Sequence, residues 1–322
     1  MSHPSRGHPA PLPRLAAGST VTVGSFDGVH LGHQAVLREI ARRAEAAKRA
    51  SVLVTFEPHP LEVVNPQAAP PLLTTGPERR EILAQTPLDY VLFLRFDRQV
   101  AALTPEEFVR DVLLERCRMR ELVIGHDHGF GRGRSGDEST LRRLGVEYGF
   151  EVDVVPAVDY GDQHVSSSRI RRAVAGGDLV TASRMLGRPY QVSGRVGQGE
   201  RRGRLLGVPT INLTEVPPQK LLPPDGVYAV RVEWRGGRAG GMMNQGPRPT
   251  FRDGRRTLEA HLFDFEGDLY GEWVRLEWVE RLRDVERFAS VEELQQQLER
   301  DRVRALAVLA GTAPDPSRVT HA

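Results

Sequence analysis

Short apolar segments alternate with amphipathic helical patterns through the first half of the chain. The predicted strands are residues 21–23, 51–56, 90–94, 122–124 and 151–155, and the predicted helices are residues 32–49, 77–85, 105–118 and 138–148. Alternation of this kind predicts an α/β domain with a doubly wound parallel sheet. Ligands bind such sheets beyond the carboxyl ends of the strands, so the loops that follow the strands are candidates for chemistry.

The pattern changes in the second half, where strand signals follow one another without intervening helices. The predicted strands are residues 190–196, 226–234, 238–243, 257–265 and 272–280, and the turns between them are rich in Gly, Pro and Asp. This arrangement predicts a small antiparallel β-barrel. A terminal helix is predicted over residues 291–309, where Ser290 and Glu293 supply a capping box.

Helix-stop residues mark the expected domain boundary. A short helix over residues 178–186 ends at Gly187, and Arg188-Pro189 follows it. The predicted organisation is a disordered extension over residues 1–18, the parallel-sheet domain over 19–187, the barrel domain over 188–312 and a disordered tail over 313–322.

Composition supports a soluble globular protein. Of the 322 residues, 39% are hydrophobic and 27% are charged. No apolar run approaches the roughly 20 residues that a membrane span needs. The single cysteine, Cys117, excludes an internal disulfide and suits a reducing cytoplasm. We therefore predict a cytoplasmic protein without a membrane partner.

Lysine is almost absent, and this limits the kinds of phosphate site. Of 44 basic residues only Lys48 and Lys220 are lysines, and neither lies in a Gly-rich loop. A Walker A site and a protein-kinase strand lysine are both excluded. Phosphate chemistry would have to use Arg, His, backbone amides and metal. The net charge of +2 does not favour a general nucleic-acid binder.

The most informative segment directly follows the first predicted strand. In Gly24-Ser-Phe-Asp-Gly-Val-His-Leu-Gly-His-Gln34, His30 and His33 stand where a Gly-rich turn runs into a helix. A helix N-terminus favours anions, and imidazoles there can stabilise phosphate charge in a transition state. As an alternative, the pair could bind zinc with His59, His126 or His128. The Asp before Gly-Val-His better fits a nucleotidyltransferase signature.

A second cluster of phosphate-binding groups is predicted at residues 166–171. Ser166, Ser167 and Ser168 begin a helix, and Arg171 follows them. Hydroxyls at this position are usually only helix caps. The nearby arginine favours a phosphate contact instead.

In the second half, Thr210 and Asn212 follow a loop rich in Gly and Arg. They lie on one face of an extended segment, because strand side chains alternate. Two neutral oxygens beside such a loop suit Mg²⁺. Glu259 alternates with the apolar residues Leu258 and Ala260, so it is either a solvated charge or a carboxylate that accepts a proton from an attacking hydroxyl.

Together these motifs resemble the bifunctional bacterial riboflavin kinase/FAD synthetase family from about residue 19 to 310. Four segments resemble its adenylyltransferase domain: residues 24–34, 55–60, 125–136 and 166–171. Residues 203–212, 244–251 and 269–271 resemble its kinase domain. The sequence departs from the family at His128, where Phe is common, and at Val285, where Glu is common.

The resemblance implies a set of roles. His30, His33, Ser167 and Arg171 would handle ATP phosphates, Thr210 and Asn212 would hold Mg²⁺, and Glu259 would be the base for phosphorylation. The other residues expected to bind nucleotide or flavin are Gly24, Phe26, Asp27, Gly32, His59, Asp127, Phe130, Ser166, Ser168, Gly199, Arg204, Asn244, Thr250, Phe251 and Arg283.

The implied function is ATP-dependent phosphorylation of riboflavin to FMN in the barrel, followed by adenylylation of FMN to FAD in the first domain. Expected partners are riboflavin, FMN, FAD and ATP, with Mg²⁺ and without nucleic acid, and weak homo-oligomerisation is left open. Two rivals are a chain that has kept one activity and an Arg-rich nucleic-acid-binding barrel. Residues 197–206 lack the aromatics that single-strand binders use.

Overall fold

The computed structural model describes residues 15–125, 136–197, 210–247 and 256–311. Its contacts divide the chain into two compact units, Met1–Ser167 and Ser168–Ala322. This division falls at Ser167, before the boundary predicted at residue 187. The domain limits proposed from the sequence remain predictions.

The first unit contains the predicted parallel sheet. Its strands are β1 (Ser19–Val23), β2 (Ala50–Glu57), β3 (Tyr90–Arg95), β4 (Met119–Gly125) and β5 (Glu151–Val155). They pair in parallel in the order β3-β2-β1-β4-β5. The order reverses at β1, so the loop after β1 lies at the switch point where such sheets bind ligands. The predicted fold class is confirmed.

Helices surround this sheet in chain order. They are α1 (Leu31–Ala46), α2 (Pro60–Val64), α3 (Gly76–Leu83), α4 (Arg98–Ala102), α5 (Pro105–Phe108) and α6 (Glu138–Tyr148). A 3₁₀ turn over Pro66–Ala68 and a two-stranded hairpin, β6 (Asp159–Tyr160) and β7 (Gln163–His164), complete the unit.

Both faces of the sheet are buried because alternate strand residues enter two different cores. In β2, Val52 and Val54 join one apolar cluster, whereas Leu53 joins the other. The second cluster includes Leu37 and Ile40 of α1, so this helix covers that face. The continuous apolar runs seen in the sequence are typical of strands buried on both sides.

The single α-helix predicted over residues 105–118 is wrong beyond Phe108. Residues Val109–Leu114 form a π-helix, in which the N–H of Glu115 donates to the carbonyl of Arg110. The wider turn buries Val109, Val112 and Leu113 together. The hydrophobic pattern located the buried face but could not distinguish the two helix types.

The second unit is built around a closed antiparallel barrel. Two helices come first, α7 (Ser167–Ala175), which crosses the division between the units, and α8 (Leu179–Leu186). The strands are β8 (Gln191–Gly197), β9 (Thr210–Thr214), β10 (Gly226–Trp234), β11 (Gly237–Pro247), β12 (Arg256–Leu262) and β13 (Trp273–Arg283). Their order around the barrel is β10-β11-β12-β9-β8-β13.

The terminal helix α9 (Val291–Gly311) packs on the outer face of the barrel. Its Ala305, Leu298 and Leu309 join an apolar cluster with Met242 and Phe263. Ser290 Oγ accepts from the N–H of Glu293, as the predicted capping box requires. The Glu293 carboxylate, however, accepts from the N–H of Ala289 rather than from that of Ser290.

Candidate active sites

The loop between β1 and α1 has an unusual backbone. Phe26, Gly28 and Val29 have φ angles of 49°, 85° and 39°. A β-branched residue such as Val29 is rarely found there, and each strained non-glycine residue costs on the order of 1–3 kcal/mol. The side chains of Phe26 and Val29 are 4% and 0% exposed. Core packing therefore stabilises the strained loop.

Asp27 ties this loop to the segment before α3. Its carboxylate is 1% exposed and accepts from the N–H of Leu73 (3.0 Å), the N–H of Thr74 (2.8 Å) and Thr74 Oγ1 (2.9 Å). Thr74 Oγ1 also accepts from the N–H of Gly28 at 2.9 Å. These contacts give Asp27 a positioning role. Its predicted contact with nucleotide remains a prediction.

The two histidines stack at the start of α1. His30 is the N-cap residue, and its Nδ1 accepts from the N–H of His33 at 3.3 Å. Their ring centroids lie 3.6 Å apart with 15° between the planes, and the Phe26 ring lies 4.6 Å from that of His33. Because Nδ1 of His30 accepts, the ring proton of neutral His30 is on Nε2, where it can be donated to an anion.

Close packing surrounds the glycines of this loop. A Cβ on Gly24 would lie 3.0 Å from the Phe26 ring, and a Cβ on Gly32 would lie 3.2 Å from the His30 ring. The absence of side chains at these positions allows the two rings to approach the backbone.

The serine segment reaches the same loop. Ser167 Oγ donates to the carbonyl of Asp27 at 3.0 Å, and Ser166 beside it is half-buried. Ser168 and Arg171 belong to the second unit, so their predicted phosphate contacts remain predictions.

His59 follows β2, the neighbour of β1, and caps α2. Its Nδ1 accepts from the N–H of Leu61 at 3.3 Å, and Glu62 completes a capping box. This is a structural role, and nucleotide binding by His59 remains a prediction. The predicted residues Asp127, Phe130, Gly199, Arg204, Thr250 and Phe251, and the departure at His128, lie outside the described residues.

In the barrel, one lateral row of paired residues crosses five strands. From β13 to β9 the row reads Arg283, Val227, Asn244, Glu259 and Asn212. Directly paired residues project on the same face, with their Cβ atoms about 5 Å apart. Four residues that are distant in the sequence and were singled out for kinase chemistry therefore share one face.

Glu259 lies between Asn244 and Asn212 in this row and has a short contact with a neighbouring hydroxyl. Its Oε1 accepts from Thr210 Oγ1 at 2.6 Å. Leu258 and Ala260 are 2% and 0% exposed, whereas Glu259 is half-buried. The predicted alternation of β12 is confirmed, and the carboxylate lies on the outer face of the barrel.

Thr210 and Asn212 point to the same outer face, because they are two residues apart in β9. Asn212 is 7% exposed, and Thr210 is half-buried with its proton directed to Glu259. This leaves the lone pairs of the hydroxyl oxygen for a cation. A hydroxyl, an amide and a nearby carboxylate form a hard oxygen donor set that fits Mg²⁺.

Arg283, predicted to bind substrate, makes an ion pair within the protein. Its Nε lies 3.0 Å from both carboxylate oxygens of Asp301, and its Nη2 donates to Oδ2 at 2.7 Å. Gln297 Nε2 also donates to Asp301 at 2.8 Å. The Arg283 guanidinium lies 5.6 Å from the Phe288 ring. Arg283 therefore anchors α9 beside the row, and its contact with substrate remains a prediction.

Asp301 is not among the residues predicted from the sequence. A signal was present: Asp301 interrupts the inward-facing stripe of α9 between Leu298 and Ala305, and it is 4% exposed. A carboxylate on a buried stripe requires a cationic partner. The sequence alone does not show which arginine supplies it.

A cavity with both polar and apolar walls opens beside Thr210. Its walls include Val196, Ile211, Leu262, Phe265, Leu269 and Tyr270. Two of these residues belong to the 269–271 motif. A planar ring bound beside Thr210 would find apolar contacts here.

Comparison with known families decides the identity. The chain matches a family model described as FAD synthetase over residues 13–169, and one described as Riboflavin kinase over residues 186–309. The chain belongs to the bifunctional riboflavin kinase/FMN adenylyltransferase family. The recognition made from the sequence is confirmed.

Relatives match along nearly the whole chain. The bifunctional riboflavin kinase/FMN adenylyltransferase of Escherichia coli strain K12 is 39% identical over 92% of this chain and 95% of its own length. That of Pseudomonas fluorescens is 38% identical over 92% and 94%. A crystal structure from Streptococcus pneumoniae, described as a macrolide-efflux protein, has a TM-score of 0.80 and 32% identity over 90% of this chain and 94% of that one. That description is the Streptococcus protein's own, and the likeness supports the shared architecture.

Both halves of the family's activity are present. The chain carries an FAD synthetase domain and a riboflavin kinase domain, so it makes FMN from riboflavin and FAD from FMN in ATP-dependent reactions. The match of the barrel to riboflavin kinase goes against the rival nucleic-acid-binding barrel.

Two further observations concern metals and membranes. Among the described residues, no three His, Cys, Asp or Glu side chains are grouped so that they could hold a metal ion. His30, His33 and His59 thus form no zinc site, and His126 and His128 lie outside the described residues. No helix in the described part of the chain is long and apolar enough to span a bilayer.

Proposed function

We propose that Glu259 is the general base for riboflavin phosphorylation and that Thr210 and Asn212 hold Mg²⁺ next to it. The observation that carries this proposal is the 2.6 Å hydrogen bond from Thr210 to Glu259 within the row Asn244, Glu259 and Asn212. A carboxylate fixed on a rigid strand can meet a substrate hydroxyl in a defined orientation.

The kinase reaction begins from a neutral alcohol, so a base assists it. The terminal ribityl hydroxyl gives its proton to the Glu259 carboxylate while its oxygen attacks the γ-phosphorus of ATP, and ADP leaves. A bound Mg²⁺ would neutralise charge on the phosphate oxygens. Asn244, on the other side of Glu259, is exposed and can contact nucleotide or flavin.

The adenylyltransferase reaction begins from a different nucleophile. A phosphate oxygen of FMN is already anionic, attacks the α-phosphorus of ATP and expels pyrophosphate without needing a base. We assign charge stabilisation to His30 and His33 at the N-terminus of α1, and to Arg171. Further residues that would shape the nucleotide site are Gly24, Phe26, Gly32, Ser166, Ser167 and Ser168.

The proposal also covers the substrates, the cellular location and the binding partners of the enzyme. The substrates and products are riboflavin, FMN, FAD and ATP, as the family implies. We extend this to a cytoplasmic enzyme that binds neither nucleic acid nor membrane, in line with the net charge of +2 and the single cysteine. Weak self-association is compatible with the proposal.

The test follows flavins by chromatography after incubation with riboflavin and ATP. With Mg²⁺ we expect FMN first and then FAD, and without divalent metal we expect neither. Thr210→Val should raise the Mg²⁺ concentration needed for FMN formation and leave conversion of supplied FMN to FAD unchanged. His261→Gln, which changes a residue paired with Thr210, is the matched control. An unchanged Mg²⁺ requirement in Thr210→Val would reject the metal assignment.

A further inference from the structure

Arg79 in α3 is buried directly beneath the strained loop of the first unit. Its side chain is enclosed, with only 3% of the residue exposed. Nη1 donates to the carbonyl of Ser25 at 2.8 Å, and Nη2 donates to the carbonyl of Phe56 at 2.6 Å. The guanidinium therefore joins the start of the loop after β1 to the end of β2.

No carboxylate pairs directly with this charge among the described residues. Nε of Arg79 has no hydrogen-bond partner there, and both other donors bind neutral carbonyls. The next residue, Arg80, shows the ordinary arrangement: its side chain is 49% exposed and pairs with the Glu57 carboxylate. Both arginines also lie near the Phe93 ring, at 5.6 Å and 4.3 Å.

Burial lowers the pKa of Arg79 from its usual value, and the carboxylates of Asp27 and Glu57 act against this shift. An arginine nonetheless stays protonated in a protein. The carboxylate of Asp27 is already engaged by three hydrogen bonds from Leu73 and Thr74. Arg79 thus keeps a positive charge whose nearest direct partners are neutral.

A buried charge without a direct counter-ion is unfavourable, so its retention calls for a compensating interaction. The position suggests one. The Ser25 carbonyl held by Arg79 is one residue before Phe26, where the left-handed backbone begins, and the loop ends at His30. A triphosphate bound at this loop would add negative charge close to Arg79, beyond that of the Asp27 and Glu57 carboxylates, neither of which bonds to it directly.

We propose that Arg79 is a positioning residue for adenylyl transfer, which holds the loop in its strained conformation and supplies a fixed positive charge behind the triphosphate of ATP. This inference rests on the proposed site at His30 and His33. The charge acts through the loop without touching substrate, and in a buried setting it is weakly screened.

Two substitutions separate charge from mere packing. Arg79→Lys keeps the positive charge, whereas Arg79→Gln keeps a neutral donor and removes the charge. Arg80→Gln is the matched control on the same helix. Each protein is given FMN and varied ATP, and kcat and KM for ATP are measured. Riboflavin phosphorylation by the same protein monitors the integrity of the barrel.

We expect Arg79→Gln to raise KM for ATP by at least about tenfold, by analogy with the roughly 10-fold to 100-fold loss seen when a residue that orients a metal ligand is removed. Arg79→Lys keeps the charge but loses the bridge between the two carbonyls, so it should raise KM less than Arg79→Gln does. Arg80→Gln should stay within about threefold of the wild type. A purely structural role would reduce the amount of active enzyme, which lowers apparent kcat and leaves KM unchanged.

The inference is overturned if Arg79→Gln leaves KM for ATP within about threefold of wild type, or if Lys and Gln raise it equally. Failure of the underlying site is recognised separately. In that case His33→Ala would adenylylate FMN as well as wild type does, whatever the ranking of the Arg79 variants.

Discussion

The two proposed sites differ in the groups that they offer to phosphate and nucleophile. In the first unit, a strained loop presents stacked imidazoles at a helix N-terminus, and its acidic residue Asp27 is engaged by backbone and hydroxyl donors. In the barrel, a carboxylate projects from a regular strand and accepts from Thr210. The difference follows the nucleophile, since an alcohol benefits from a base and an FMN phosphate needs only charge stabilisation.

The largest expected effect follows from removal of the proposed base, Glu259. Glu259→Ala should reduce phosphorylation of riboflavin by about 100-fold to 10,000-fold, the range for loss of general base catalysis. Conversion of supplied FMN to FAD should persist, because the adenylyltransferase residues are untouched. Both rates are measured by separating flavins over time. Equal loss of the two activities would contradict the assignment of Glu259 to the kinase reaction alone.

The reciprocal change is His33→Ala. Removing a donor to a phosphate that gains charge should slow adenylylation by about 100-fold to 1,000-fold. FMN should accumulate when riboflavin is supplied, because the kinase reaction continues. The measurement is the ratio of FMN to FAD at fixed times. A ratio equal to that of wild type would reject the role of His33.

A smaller effect is expected from the anchor of α9. Asp301→Asn removes the close ionic partner of Arg283, whose side chain is 16% exposed, and leaves only the 4.0 Å contact with the more exposed Glu286. Breaking a buried pair typically destabilises by about 3–5 kcal/mol. We expect the second unit to unfold at lower denaturant concentration, and all three tryptophans of the chain, Trp234, Trp273 and Trp278, lie there to report it by fluorescence.

The control for this anchor is Gln297→Ala, which removes only a neutral donor to Asp301. Its effect should be about 1 kcal/mol. Adenylylation of FMN should be retained in both variants under conditions where the first unit remains folded. If Asp301→Asn were no more destabilised than Gln297→Ala, the ion pair would not be an anchor.

Two carboxylates outside the proposed sites, one in each unit, should affect the pH dependence of stability in opposite directions, and both effects should be small. Arg42 and Arg43 lower the pKa of Glu39 in α1 from 4.5 to about 2. Burial raises the pKa of Glu277 in β13, although Arg275 acts against it. Stabilisation from Glu39 is present above about pH 4.5 and is lost as the pH falls toward about 2. The contribution of Glu277 to stability has the opposite sign. Its carboxyl group has a higher pKa in the folded protein than in the unfolded chain, so stability is lost as the pH rises above 4.5.

Denaturant unfolding of two variants checks these signs. At pH 7, Glu39→Gln should lower the free energy of unfolding by less than about 1 kcal/mol, and Glu277→Gln should raise it slightly. Both differences should shrink when the pH is lowered to about 3. Differences of the same sign at pH 7 would contradict the assignment.

Local periodicity allowed much of this molecule to be predicted. The strands, the barrel and the outward position of Glu259 follow from alternation over a few residues. Alternation within one strand does not predict that Asn244, Glu259 and Asn212 are paired, because register depends on how distant strands meet. Only the family resemblance indicated that these three residues serve the same reaction.

What the sequence did not reveal depends on approaches between distant segments. The partners of the Asp27 carboxylate lie 46 and 47 residues away, and those of the Arg79 guanidinium lie 54 and 23 residues away. Arginine is so abundant in this chain that no pattern in the sequence singles out Arg79 as buried. The engagement of Arg283 by Asp301 depends likewise on where α9 docks.

Complementation between two variants tests the central claim that two independent sites act in succession. Glu259→Ala and His33→Ala are each incubated with riboflavin, ATP and Mg²⁺, separately and mixed, and FAD is quantified. The account predicts little FAD from either variant alone and substantial FAD from the mixture, because FMN made by His33→Ala serves the intact adenylyltransferase site of Glu259→Ala. A mixture that forms no more FAD than the separate variants would contradict it.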